Sequence, residues 1–212
     1  DIVMVHAHEL EREFVNEGYG VKRVPLMHND FVILGPPADP ADVESAASAA
    51  EAFERIAETE HPFISRGDES GTHVAEQRIW AKSAAGGAAS ASDAGGAAAG
   101  APAGAPPEGR WYREAGQGMG AVITMANNEQ AYTLADRGTY LAFRSDVDLE
   151  VLFEGDPVLE NPYAVIAVDP ERHPHVKHDR AQALIDFLVS DEGRTIIEEY
   201  RVEGEQLFVP EP

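Results

Sequence analysis

Short apolar runs alternate with stretches of helical period along almost the whole chain, and no segment repeats another. That alternation confines the fold to the α/β class, because each apolar strand needs helices to cover it and each amphipathic helix needs a sheet to lie on. A buried strand is expected at residues 2–5 and further strands at 31–34, 149–153 and 163–168, with Phe63-Ile64 leading into a turn. Helices are expected at 9–16, 42–59 and 71–82, through Val122 and Met125, and near 180–189 and 192–200. Gly18 and Gly20 stop the first helix, and Gly35-Pro36-Pro37 ends the strand at 31–34. Thr133-Leu-Ala-Asp136 has the spacing of a capping box ahead of Tyr140, Leu141 and Phe143.

One stretch departs from this pattern. Residues 83–109 hold 12 Ala, 7 Gly, 3 Ser and 3 Pro with only Asp93 and Glu108 charged, so nothing in them can build a core. Apolar and aromatic residues crowd both flanks, which makes the stretch a flexible insertion inside a folded lobe and not a boundary between domains. At 212 residues the chain can form one large domain or two lobes of roughly 100 residues each. No apolar run approaches the roughly 18 residues of a bilayer span. Asp1-Ile-Val-Met-Val5 is strand-like, with neither a basic n-region nor an apolar h-region. A leader is therefore expected to have been removed, or the chain to start inside a longer protein. The absence of Cys excludes disulfides, thiolate metal sites and cysteine nucleophiles.

Charge narrows the partners. Thirty-eight acids against 16 bases give a net charge of -22, which repels duplex nucleic acid. Only Lys22, Lys82 and Lys177 are lysines; the other bases are Arg. An acidic, Lys-poor surface suits molar salt, where the Debye length is about 3 Å and self-repulsion is screened. The Glu- and Asp-rich helices are read as solvated faces.

The run most able to carry chemistry is Ser65-Arg66-Gly67-Asp68-Glu69-Ser70-Gly71-Thr72-His73, between an expected strand and an expected helix. A helix N-terminus offers unpaired N–H groups and the positive end of the dipole to an oxyanion. Gly67 and Gly71 let backbone approach, Ser70 and Thr72 add hydroxyls, and Arg66 adds a planar fork of donors that Asp68 can hold in place. The same residues also fit a plain N-capped helix with a surface arginine, and both readings stay open on this evidence. Arg66-Gly67-Asp68 as an adhesion tripeptide is too short to carry weight. A second strand-to-helix turn, Gly116-Gln117-Gly118-Met119-Gly120, can also present backbone N–H groups. Its spacing is GxGxG and not the dinucleotide GxGxxG, and a structural glycine turn is its other reading.

Other constellations point to less. His173-Pro-His175 with His178 could ligate a metal, but Pro174 breaks the helix that would align them and no carboxylate stands at ligand spacing, so no metal is assigned. His6 and His8 follow the first strand and read as packing or surface residues. No Ser/His/Asp order, HExxH motif or carboxylate pair suggests an enzyme.

The run at 65–73, with WYREAGQGMG at 111–120, AYTLADRGTYLAF at 131–143, EGDPVLENPYAVIAV at 154–168 and VEGEQLFVP at 202–210, resembles the substrate-binding protein of tungstate ABC importers. The likeness is collinear over nearly the whole chain apart from the insertion. It implies the type II periplasmic-binding-protein fold: two α/β lobes joined by two crossover strands, at 31–34 and 163–168, closing on a ligand in the cleft. Residues 1–34 and 162–212 would form the first lobe, and 35–161 the second, with 83–109 as its insertion. Carried over by resemblance, Arg66 binds the anion directly, Ser65, Ser70, Gly71 and Thr72 are neighbouring donors, and Asp68 steadies Arg66. Gln117, Gly118 and Met119 form the second loop.

By the same resemblance the ligand is tungstate or the related molybdate, the partner is the membrane permease of an ABC importer, and no cofactor or catalysis is involved. The location is extracytoplasmic, with a tether in a missing N-terminal segment. Family members begin with a strand and a Thr/Ser-rich loop, and nothing similar precedes Asp1, so the first lobe is expected to be N-terminally incomplete and binding weakened. The phosphate-binding branch of the superfamily, or a phosphate-handling enzyme using Arg66 and the Ser-Gly-Thr turn, is the alternative.

Overall fold

Two compact units divide the chain in the computed structural model: Asp1–Asn29 with Asn161–Pro212, and Asp30–Glu160. The described residues are 1–83 and 107–211, so the Ala/Gly-rich run at 83–109 lies almost wholly outside them. The chain passes from the first unit to the second within strand β2 (Gly20–Gly35) and returns at the start of strand β7 (Glu160–Val168).

In the first unit, β1 (Ile2–Val5) runs antiparallel to β7, with Ile2 opposite Ala167 and Val5 opposite Ala164. β7 neighbours β2, and the short β10 (Val209–Pro210) pairs with β2 at Met27 and His28. Helices α1 (His8–Asn16), α6 (His178–Leu188) and α7 (Asp191–Glu199) accompany the sheet, and β8 (Arg201–Val202) pairs antiparallel with β9 (Glu205–Gln206). Val165, Ala167, Ala181 and Ile185 form the buried centre, with Ile2 and Val24 against it. β2 is 16 residues long and not confined to 31–34. Its first half was hidden because Pro25 and several charged residues mask the alternation, and the strands that pair with it come from the far end of the sequence. Glu11, in a helix read as solvated, is 2% exposed: it accepts the Ala7 N–H at 2.7 Å and Arg23 Nε at 2.6 Å, closing the start of α1.

The second unit contains α2 (Ala49–Thr59), β3 (Phe63–Ser65), α3 (Gly71–Lys82), β4 (Tyr112–Glu114), α4 (Met119–Glu129), β5 (Thr133–Asp136), α5 (Arg137–Phe143) and β6 (Glu150–Phe153). The last part of β2 pairs antiparallel with β5, from Phe31 opposite Asp136 to Leu34 opposite Thr133, and also with β6. β3 and β4 are parallel, and a parallel bridge joins Phe63 to Tyr132 just before β5. β4, β3 and β5 therefore point the same way; β3 and β4 lead through short loops into helices at their C-terminal ends, and β5 runs directly into α5. Open α/β sheets place their ligands at this edge. Behind it Phe53, Phe63 and Trp80 are fully buried, with ring centroids 4.3 Å (Phe53–Trp80) and 5.4 Å (Phe63–Trp80) apart.

Two local expectations are corrected. The helix expected over 42–59 is a 3-10 turn at Val43–Ser45 followed by α2, because the Ser48 hydroxyl accepts the Glu51 N–H at 3.1 Å and starts a new helix there. The capping box expected at 133–136 is strand β5. Thr133 spends its hydroxyl on Ile64 O at 2.7 Å, and Asp136 is itself the N-cap of α5, accepting the Thr139 N–H at 2.8 Å.

Candidate functional site

The two sequence runs singled out above lie side by side in the second unit. β3 and β4 are in register from Phe63 opposite Tyr112 to Ser65 opposite Glu114, and the pairing continues into the loops. The Ala115 N–H donates to Ser65 O at 2.9 Å, and the Gly116 N–H to Arg66 O at 2.8 Å. Gly67 takes a positive φ of 59° and comes so close to Glu114 that an added Cβ would meet the Glu114 Cβ at 2.6 Å. Only glycine satisfies both conditions. The loops at 66–70 and 115–118 are thus one continuous ledge that ends in two helix N-termini.

Those N-termini are electrostatically alike. Neither α3 nor α4 has an acid in its first turn. α4 starts at Gly118 without a side-chain cap, which leaves its first N–H groups available. Ser70 caps α3, its hydroxyl accepting the His73 N–H at 3.4 Å. Aligned helix dipoles give this ledge positive partial charge in a protein that is otherwise strongly acidic.

Arg66 supplies the full charge. Its Nε and Nη2 both donate to Asp68 Oδ2, at 3.1 and 2.5 Å, and its side chain keeps 18% of its surface exposed. Asp68 Oδ1 accepts the Ser70 N–H at 3.2 Å, tying the arginine to the helix start. Partial burial works to raise the Asp68 carboxyl, but hydrogen bonds from Ser70 and Arg66 outweigh it and hold the group below the ordinary carboxylate range. Asp68 occupies one edge of the guanidinium and leaves Nη1 for another acceptor.

The remaining predicted residues fall in three places. Gly71, Gln117 and Gly118 are exposed on the ledge. Thr72 and Met119 are buried, at 6% each, in the first turns of α3 and α4. Ser65 is fully buried; its hydroxyl accepts the Gly67 N–H at 3.2 Å, so it braces the loop from beneath.

The residues below the ledge were not foreseen. Glu76 is 1% exposed. Its Oε1 accepts Tyr112 Oη at 2.7 Å and Trp80 Nε1 at 3.1 Å, and Gln77 Nε2 donates to Tyr112 Oη at 3.3 Å. Burial pushes the Glu76 carboxyl up to about 7, against the hydrogen bonds that favour its charged form. One signal was available: Thr72, Glu76 and Trp80 recur every four residues, so an acid lies on the stripe that buries an indole. The histidines gather no site. Among the described residues no group of three His, Asp or Glu is placed to hold a metal ion. His6 Nδ1 is 3.0 Å from Asn161 Oδ1, with its ring against Tyr163.

The profile of the PBP superfamily domain matches residues 1–192. The chain belongs to the PBP superfamily. This PBP chain is 43% identical, over 99% of its length, to a Haloferax volcanii protein named as an ABC transporter anion-binding protein, and spans 57% of that relative. It is 37% identical to the tungstate-binding protein TupA of Peptoclostridium acidaminophilum, over 99% of the chain and 68% of the relative. The structure of the tungstate-binding protein TupA from Desulfovibrio alaskensis G20 superposes on the whole PBP chain with a TM-score of 0.85 at 36% identity, covering 78% of that structure.

Proposed function

We propose that this chain is the receptor of an ABC importer: it captures a tetrahedral oxyanion outside the cytoplasm, tungstate with molybdate as its close analogue, and presents it to a membrane permease. The observation that carries this reading is the ledge formed by the loops at 66–70 and 115–118, where a fixed guanidinium stands beside two helix N-termini with no acid in their first turns. Similarity to proteins named for tungstate and anion binding supports it. The reading needs no cofactor and no catalytic step.

Donor chemistry favours tungstate over phosphate. Tungstate at neutral pH carries no proton and is satisfied by donors alone, whereas hydrogen phosphate brings a proton that needs an acceptor. Of the two carboxylates in the loop, Asp68 already accepts from Arg66 and from the Ser70 N–H, so a phosphate hydroxyl would have to reach the exposed Glu69. An unmatched phosphate hydroxyl would be desolvated without a partner. Calorimetric titration in molar KCl should rank tungstate and molybdate first, sulfate weaker and phosphate weakest. Tighter binding of phosphate than of tungstate would contradict the proposal and favour the phosphate-binding reading.

A further inference from the structure

Glu76 stands out as a buried acid that nothing above uses. It lies beneath the ledge: the Ser65 hydroxyl, near enough to favour its charged form, accepts the Gly67 N–H that shapes the turn carrying Arg66. Its partners are neutral donors, Tyr112 from β4 and Trp80 from its own helix, while the guanidinium of Arg66 is committed to Asp68. β4 also brings the negative charge of Glu114 toward it. α2 and β5 contribute Phe53, Ile56 and Leu134 to the apolar core that Trp80 joins. His73, one turn earlier on α3, is the other titratable group at the loop; its Nδ1 accepts the Glu69 N–H at 3.1 Å, and its Nε2 is 3.9 Å from Glu114.

We propose that Glu76 is a positioning residue that couples oxyanion binding on the ledge to uptake of a proton from below, through Ser65 and the turn at Gly67. This rests on the anion-binding reading given above. When Glu76 is ionised, a buried charge with no cationic partner opposes an anion on the ledge above it, and the Ser65 hydroxyl can turn its proton toward the carboxylate. When it is neutral, the repulsion is gone and the carboxyl can donate to Ser65 Oγ, which has a second lone pair for the Gly67 N–H and a proton free to turn elsewhere. Proton and anion therefore favour each other, and linkage makes the effect reciprocal. The carboxyl sits near 7, so the exchange falls within the neutral range.

The test is titration with sodium tungstate at pH 6.0, 7.0 and 8.5 in constant KCl, on the full chain and on Glu76→Gln and His73→Gln. Affinity of the unsubstituted chain should fall about fivefold across this range, the lower end of ordinary site-to-site coupling. Glu76→Gln should be flat, and His73→Gln should keep the slope. Calorimetry at pH 7.4 in buffers of different ionisation enthalpy should show uptake of about a third of a proton per anion, the amount a fivefold coupling produces. If Glu76→Gln does not fold, uptake retained in His73→Gln supports the proposal and uptake lost there overturns it. A slope that survives in Glu76→Gln, or an unsubstituted chain without a slope, overturns this inference alone. No oxyanion bound at any pH would overturn the functional reading with it.

Discussion

Arg66 is effective because its neighbours decide where it points. Asp68 holds one edge of the guanidinium, Ser70 holds Asp68, and Gly67 turns the backbone between them at a φ that other residues resist. Arg66→Ala should weaken tungstate binding by about 1.5 to 3 kcal/mol, the range for hydrogen bonds to charged groups, or roughly 10- to 150-fold. Arg66→Lys should recover only part of this, because an ammonium cannot use Asp68 to fix a second donor edge. Unchanged affinity in Arg66→Ala would remove that side chain from the site.

The strand-turn-helix units β3–α3 and β4–α4 are the smallest pieces that make sense as an anion ledge, since each contributes a loop whose conformation depends on the other. The cap of α3 is the part most easily tested. Ser70→Ala should cost about 1 kcal/mol in denaturant-measured stability, whereas Ser70→Gly should cost only a few tenths. Equal losses in the two would mean that the Ser70 hydroxyl does not cap the helix. Much of this was legible in the sequence: α3 occupies the residues expected, and the loops at 66–70 and 115–118 fall at the strand-to-helix turns where glycine and hydroxyl residues announced them. What could not be read was long-range. The first half of β2 is held by β7 and β10 from the other end of the chain, β5 masqueraded as a capping box, and Glu76 and Ser65 look like surface polar residues until β4 brings Tyr112 over them. Local spacing carries turn and cap chemistry, but pairing partners and buried polar networks are decided by segments far apart in sequence.

At the scale of the whole molecule, a net charge of -22 must coexist with the proposed anion-binding ledge. Repulsion among exposed carboxylates acts over many ångströms and is screened by salt, while the dipole and guanidinium terms act within a turn of the helices and are screened little. Raising KCl from millimolar to molar should therefore raise the thermal midpoint and speed tungstate association, as suits a chain related to a Haloferax volcanii protein. A midpoint that falls with added KCl would contradict salt adaptation. The proposed place of the anion is the ledge of the second unit, and diffraction can see tungsten directly. Crystals grown with tungstate and measured at a tungsten absorption edge should give their strongest anomalous peak within about 5 Å of the Arg66 guanidinium, one hydrogen bond plus one metal–oxygen bond away, beside the first turns of α3 and α4. A strongest peak remote from Arg66 and both helix starts would contradict this placement.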